Sequence, residues 1–406
     1  MIIETKKNKA TIVSLYLLAF ASALYMFEAV QVIIMAIASL FLLLQYRSAK
    51  NFFSIKKVPF LLSFFVLLCF NLFYFNNKSI QVIANSFLLF IVPLFSSFLY
   101  ESDFFIKNKQ RILLTYCFSI TLISIFIVCF YINDIPNHHF NWYFARFNLE
   151  NTIHIHGTYI SLWVGIAILL VSDFLIHDKT LNTKIKTCLI LVIALLLLSL
   201  IVINTRIILY SIIFLSALNY YFFAFKSKKM NSKVVVIMLL LISLVVLFLS
   251  QRFQDDIQFL NKNNIKNSSR YTICYCSLQT IAESNFLGMD NHLIQSKLNN
   301  CYDKYGFSDL SKDNLNAHNQ YLDFFLKGGF VLFILFVLML FIKLKTALKS
   351  KNYLYFLITL LFTFSFLTEN ILVRQYGIYI YMFCDILFLG SVLPNKSHCT
   401  NKIEKS

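Results

Sequence analysis

The sequence predicts an all-α integral membrane protein of about 12 transmembrane helices, with a large helical external loop between spans nine and ten. Hydropathy is the first observation behind this fold class. Of 406 residues, 59% are apolar and only 14% charged, with a mean hydropathy of +0.71, whereas a soluble domain is normally about one quarter charged. The second observation is that the apolar runs reach membrane-spanning length without alternation. A chain in lipid must satisfy its own backbone N–H and C=O groups, and long uninterrupted runs do so as helices, whereas barrel strands alternate over short segments. The third is that Lys and Arg gather in every second connection. With 45 Phe but 8 Gly and 4 Pro, collagen-like, Gly-looped nucleotide-binding and Pro-rich disordered chains are excluded.

The spans are read at 10–27, 29–46, 58–75, 80–100, 111–132, 157–176, 185–203, 205–225, 234–250, 329–345, 353–368 and 371–393. The first is an anchor, because a second apolar run follows almost at once and no small-residue cleavage site separates the two. If Lys6, Lys7 and Lys9 are cytoplasmic, so are the connections around 47–57, 101–111, 177–186, 226–233 and 343–352 and the C-terminal tail. These seven basic segments hold 24 of the 36 Lys and Arg, including the Lys226, Lys228, Lys229, Lys233 and Lys343, Lys345, Lys349, Lys351 clusters. Both termini are therefore expected in the cytoplasm. The formal net charge of +17 follows from topology rather than from a nucleic-acid partner. The expected organisation is spans one to nine in 1–250, a large external loop in 251–328, and the last three spans with a cytoplasmic tail in 329–406.

Two external connections are long, 133–156 and 251–328, and loops of that size are usually functional or disordered. In the larger one, Tyr271, Tyr275, Leu278 and Ala282 fall at helical spacing, which predicts short helices on the membrane face. Cys274, Cys276 and Cys301 share this loop; one disulfide is available in an oxidising compartment, and an odd count leaves its pairing open. Cys69, Cys117, Cys129, Cys188 and Cys384 read as small side chains inside spans. No metal-ligand spacing of the His-x-x-x-His or Cys-x-x-Cys kind occurs in the large loop, so neither a metal nor any other cofactor is expected.

Several external residues are candidates for chemistry. In Asn316-Ala317-His318-Asn319-Gln320-Tyr321, a helix would put His318, Leu322 and Phe325 on one face, with Asp313 or Asn314 available as a cap. His318 then reads either as an exposed loop histidine or as an imidazole held just above the bilayer. Arg206, between two long apolar runs, either snorkels to the interface or serves a site. Arg270 stands at a helix start, as a solvated charge or as an anion ligand; a planar guanidinium suits phosphate. In the 133–156 connection, His138 to Tyr143 and His154-Ile155-His156-Gly157-Thr158-Tyr159 suggest sugar stacking or interfacial anchoring. Glu369 and Arg374 bracket the last external turn, as an interfacial ion pair or as functional groups at membrane depth.

Together, Asn204-Thr205-Arg206, Ser269-Arg270-Tyr271, Asn285-Phe286-Leu287-Gly288 and Ala317-His318-Asn319-x-Tyr321-Leu322 before Gly328-Gly329 resemble the O-antigen ligase and O-antigen polymerase family of bacterial envelope glycosyltransferases. His156-Gly157-Thr158-Tyr159 and Thr368-Glu369-Asn370 are similar to its accessory patterns, and the resemblance covers about 135–393. Asn285 stands where Pro is usual, and Asn204-Thr205 replaces a commoner Ser-containing turn.

The resemblance implies a multi-pass enzyme of the bacterial inner membrane that takes a glycan from an undecaprenyl-diphosphate carrier at the periplasmic face. The acceptor would be a lipid A core sugar in a ligase, or another lipid-linked repeat in an O-antigen, capsule or exopolysaccharide polymerase. His318 would be the catalytic base, Arg206 and Arg270 the diphosphate ligands, and His156, Tyr159, Tyr271, Asn319, Glu369 and Arg374 further substrate contacts. Its other partners would be membrane lipids. The chemistry suits these residue types: arginines stabilise charge growing on a departing diphosphate without a metal, and an imidazole, with an ordinary pKa of about 6.5, accepts a hydroxyl proton near neutral pH. A transporter or flippase, the rival reading, would show internal repeats and ionisable groups at midspan; no internal repeat is found, and Asp173 and Asp385 lie near expected cytoplasmic ends.

Overall fold

A computed structural model describes residues 2–21, 28–46, 58–99, 103–138, 142–178, 181–227 and 269–392, all helical or connecting turns. The helices are α1 (Ile2–Ala21), α2 (Glu28–Tyr46), α3 (Val58–Phe73), α4 (Asn77–Leu99), α5 (Asp103–His138), α6 (Trp142–Ile153), α7 (Gly157–His177), α8 (Thr183–Ile203) and α9 (Arg206–Ser227). They continue as α10 (Ser269–Glu283), α11 (Asn291–Lys304), α12 (Ser308–Lys312), α13 (Gln320–Lys349), α14 (Tyr353–Ser365) and α15 (Gln375–Val392), with a 3₁₀ turn at Ile371–Val373. Stretches within four of them, Phe105–Asp134, Gly157–His177, Thr183–Ile203 and Gln320–Lys349, are long and apolar enough to cross a membrane. Shorter apolar helices stand at Lys9–Ala21, Leu61–Phe73, Ser79–Phe90, Arg206–Phe222 and Tyr353–Ser365. The chain is an α-helical membrane protein. The expected ninth span, 234–250, lies outside the described residues, as do 251–268.

Helix α7 is the centre of the bundle. Every residue from Gly157 to Val171 is buried, and α7 packs against α5, α8, α9 and α14. The lack of a side chain at Gly165 matters here, since a Cβ would come within 2.9 Å of Ile212 on α9. Around this centre α1 packs on α2 and α5, α3 on α4 and α13, and α15 on α4. Outward-facing residues such as Leu17, Ile33, Phe118, Leu191 and Phe341 stay exposed, as a lipid-facing surface requires.

One basic residue departs from the expected connections. Lys343 is fully buried, with Nζ donating to Asp385 at 2.6 Å and to the Tyr381 hydroxyl at 2.6 Å, while Tyr355 donates to Asp385 at 2.7 Å. An ion pair in so apolar a setting persists only when its remaining hydrogen-bonding capacity is also met, as it is here.

A second, smaller core forms where α10, α11, α12 and the start of α13 meet, around Ile273, Cys276, Leu298, Tyr302 and Leu326. The pairing left open by the sequence is Cys276 with Cys301, and Cys274 is free and exposed. The expected helix at Tyr271–Ala282 is present as α10, but Tyr271, Tyr275, Leu278 and Ala282 form its exposed face; Thr272, Ile273, Cys276 and Thr280 are buried. The 133–156 connection also contains a helix, α6, that was not anticipated. The side chains of 135–145, and with them the His138 to Tyr143 run, lie outside the described part of the structure.

The small core is seated on the bundle by glycine. Helix α13 breaks at Gly328 and Gly329, and the Asn285–Gly288 turn docks in the break: Phe330 N–H donates to Phe286 O and Met289 N–H to Leu326 O, both at 2.9 Å. Gly329 has φ +64°, and a Cβ there would stand 2.4 Å from Phe286 O. Gly329→Ala should therefore lower the thermal stability of the detergent-solubilised protein, by ~1–3 kcal/mol for the backbone strain alone. An unchanged melting temperature would show that the docking is not needed.

Candidate functional site

His318 is held by a short-range turn. Its N–H donates to Asn316 Oδ1 at 3.0 Å, and it takes a left-handed backbone with φ +43°. It precedes the helix rather than riding on it. The cap is Asn319, not Asp313 or Asn314: Asn319 Oδ1 accepts the N–H groups of Tyr321 and Leu322 at 3.0 and 3.1 Å. That satisfies two of the donors that a helix start leaves open. Three further hydrogen bonds tie this turn to residues 366–372. Asn319 Nδ2 donates to Leu367 O at 3.1 Å, Gln320 N–H donates to Phe366 O at 2.9 Å, and Leu372 N–H donates to Gln320 Oε1 at 2.7 Å.

The strapped segment carries Glu369, which is 5% exposed. His318 Nδ1 lies 3.3 Å from its carboxylate, His156 Nδ1 lies 3.7 Å away, and Asn370 N–H donates to Oε1 at 3.2 Å. Among the described residues its ion pairs are with these imidazoles and not with Arg374, which is exposed. Burial pushes the Glu369 carboxyl up, but the His318 hydrogen bond and the charges of His318 and His156 outweigh it and hold the group below its ordinary value. His156, at the N-cap of α7, is shifted downward. Burial is the main cause, the charges of Glu150 and Glu369 oppose it, and Arg146 and His318 reinforce it. Arg146 Nη2 lies 3.4 Å from His156 Nε2. Its Nε pairs with Glu150 at 2.8 Å, and Glu150 in turn accepts the Gly157 N–H at 2.6 Å.

Arg270 enters on the first turn of α10 and donates from Nη1 to Thr368 O at 3.4 Å, one residue from Glu369. It lines a cavity of about 300 Å³ together with His318, Asn319, Ile273, Leu315 and Leu322. Arg206 is not among the lining residues. It opens α9 after Asn204, whose left-handed φ of +58° ends α8, and its side chain is exposed. The preceding Thr205 hydroxyl bonds with Ser161 and donates to Gly157 O at 3.5 Å. Arg206 thus stands at the same end of the bundle as His156. Tyr159 is buried beneath the cluster, donating to Asn370 O at 3.3 Å. Tyr271 points outward and stacks on Tyr275.

The structure therefore joins His318, His156, Glu369, Arg270 and Asn319, with Tyr159 below them. It leaves Tyr271 and Arg374 on the surface. Arg146, Glu150 and Gln320 were missed from sequence, and Asn370 was noted there only as part of the Thr368-Glu369-Asn370 pattern. Only Arg146 and Glu150 left a signal, as opposite charges at i and i+4.

Residues 190–337 match the family model described as O-antigen ligase. Over these residues the chain is similar to O-antigen ligases. No curated protein matches the chain. The matched segment runs from α8 into α13 and holds Arg206, Arg270 and His318, whereas His156 and Glu369 come from flanking elements. The family consists of membrane enzymes of glycosyltransferase type, with glycan and lipid-linked substrates in general.

The Glu369 shift carries a definite sign. A carboxyl held below its ordinary value of 4.5 contributes stability that is present above that pH and is lost as pH falls through the folded value. Glu369→Gln should remove this acid limb, so that thermal stability below pH 4.5 falls less steeply than in the parent protein. Identical pH profiles would mean that the imidazoles do not stabilise the carboxylate.

Proposed function

We propose that the protein is an O-antigen ligase-like glycosyltransferase that moves a glycan from an undecaprenyl-diphosphate carrier to a hydroxyl of a lipid A core sugar at the periplasmic face. The observation that carries this reading is the His318–Glu369 pair beside the Arg270 cavity, with His318 and Arg270 on the segment similar to the family. The proposal includes both termini in the cytoplasm and the 251–328 loop in the periplasm, in line with the basic connections. The Cys276–Cys301 disulfide supports that side, since disulfides persist in oxidising compartments.

In this reading each group has a task. A carboxylate only accepts hydrogen bonds, so Glu369 favours the tautomer with hydrogen on His318 Nδ1 and leaves Nε2 as the ring's acceptor. Nε2 takes the proton of the acceptor hydroxyl as its oxygen bonds to the anomeric carbon. The bond from that carbon to the phosphate oxygen breaks, and its electron pair leaves with the lipid diphosphate. Attack opposite the leaving group inverts the anomeric centre. Arg270 and Arg206 stabilise the charge growing on the diphosphate, the role a metal plays in other transferases. Apolar helix faces beside the site suit the lipid tail.

The same chemistry with a lipid-linked repeat as acceptor would make the enzyme a polymerase, and the family match is equally consistent with it. Envelope glycans of a deletion strain distinguish the two. Free lipid-linked polymer over an unmodified core indicates ligation, and single-repeat caps on the core indicate polymerisation.

His318→Ala should insert normally and lose roughly 10²–10⁴-fold in transfer rate. Lys at Arg206 or Arg270 keeps charge but loses the bidentate fork and should leave activity well below the parent. Ala should cost more, ~2.7–4 kcal/mol in transition-state stabilisation. Donor binding and turnover are measured separately in a reconstituted assay with expression checked. Normal turnover by both alanine variants would refute the diphosphate clamp.

A further inference from the structure

Helices α10 and α11 lie side by side, fixed by the Cys276–Cys301 disulfide and, further along, by the Lys297–Glu283 ion pair at 2.8 Å. Cys276 follows Tyr275 directly, and Cys301 precedes Tyr305 by one turn, so the crosslink sets Tyr305 against Tyr275. Their ring centroids are 5.3 Å apart at an interplanar angle of 82°, and Tyr275 stacks on Tyr271 at 6.1 Å and 18°. Large rings in mutual contact are normally covered, yet Tyr271, Tyr275 and Tyr305 are 43%, 40% and 41% exposed.

Three observations indicate what covers them. The rings are not lining residues of the cavity, but Arg270 and Cys274, the sequence neighbours of Tyr271 and Tyr275, line it, as does Leu310 five residues after Tyr305. The surroundings are polar, with Asp303 and Lys304 exposed beside Tyr305. The exposed apolar residues Phe286, Leu287 and Leu293 are instead at the other end of the hairpin, toward the Gly329 break at the head of a long apolar helix. Finally, the rings are held in place by a covalent crosslink, so little order is lost when a ligand lies on them. A pyranose has an apolar C–H face that sits on an aromatic ring and a hydroxyl rim that meets phenolic oxygens.

We propose that Tyr271, Tyr275 and Tyr305 form a stacking subsite for the glycan carried on the lipid diphosphate at Arg270. The proposal rests on the transferase reading and extends it from the reacting sugar to the sugars behind it. Chain length is then sensed by the rings, whereas the diphosphate and the first sugar are held at the cavity.

The test uses the full-length protein and two donors: undecaprenyl diphosphate with a single sugar, and the same carrier with an oligosaccharide purified from the host membrane. Tyr275→Ala and Tyr305→Ala should raise KM for the oligosaccharide donor ~5–10-fold, well beyond any rise for the single-sugar donor, and Tyr275→Phe should restore it. Retention of the disulfide on a non-reducing gel checks folding. Equal changes with both donors, or no change, overturn the subsite. If His318→Ala abolishes turnover of both donors while the tyrosine variants match the parent, the transferase reading stands and the subsite falls. If the parent turns over neither donor, the transferase reading fails. Binding of the released, soluble oligosaccharide then decides: loss in Tyr275→Ala supports the subsite, and undiminished binding overturns it.

Discussion

A carboxylate taken out of water has to be compensated where it sits, and the arrangement of the whole site follows from how Glu369 meets that demand. The imidazoles of His318 and His156 and the Asn370 N–H surround it, and they come from three separate parts of the chain. Bringing them together requires the N-cap of α7, the turn before α13 and the turn after α14 to converge at one end of the bundle. The hydrogen bonds of Asn319 and Gln320 to Leu367, Phe366 and Leu372 fix that convergence. Removing any one of these straps leaves a backbone group at the turn without its partner, so the ordering of the site and its polar satisfaction are the same problem.

The buried pair elsewhere in the bundle obeys the same rule in a different place. Lys343 and Asp385, with Tyr355 and Tyr381, form a polar knot among α13, α14 and α15, so the helices carrying the His318 and Glu369 turns are also tied to each other below the site. The glycine break at Gly328–Gly329 supplies the third fixed point. It allows the backbone of the 285–288 turn to approach closely enough to hydrogen-bond, which seats the disulfide-linked helices and their Arg270 beside the His318 turn.

Much of this was legible in the sequence. Helix positions followed from uninterrupted hydropathy, and most described helices lie within a few residues of the spans read for them, because lipid leaves the backbone few alternatives. Arg206 stood out as a charge between apolar runs, Arg270 as an arginine at a helix start and His318 as a histidine of the large external loop. What sequence could not show was partnership. Glu369 has Arg374 five residues away, but its partners are 51 and 213 residues distant. The cap lay at Asn319 rather than at Asp313 or Asn314 because Asn316 first bends the chain back at His318. Lys343 counted as a topology signal, since nothing nearby reveals that Asp385 waits for it across the bundle. The tyrosines of α10 had the right period for a helix, but period alone does not say which face is inward; the cysteine pairing decides that.

The central claim is that Glu369 acts through His318 and not independently of it. A double-mutant cycle on the single-turnover rate with the lipid-linked donor tests this most directly, using His318→Ala, Glu369→Gln and the double variant, with donor binding measured alongside. The account predicts that Glu369→Gln slows transfer when His318 is present and has no further effect when it is absent, so that the double variant matches His318→Ala. Rate losses that multiply would contradict it, since they would mean that the carboxylate and the imidazole contribute to transfer by separate routes.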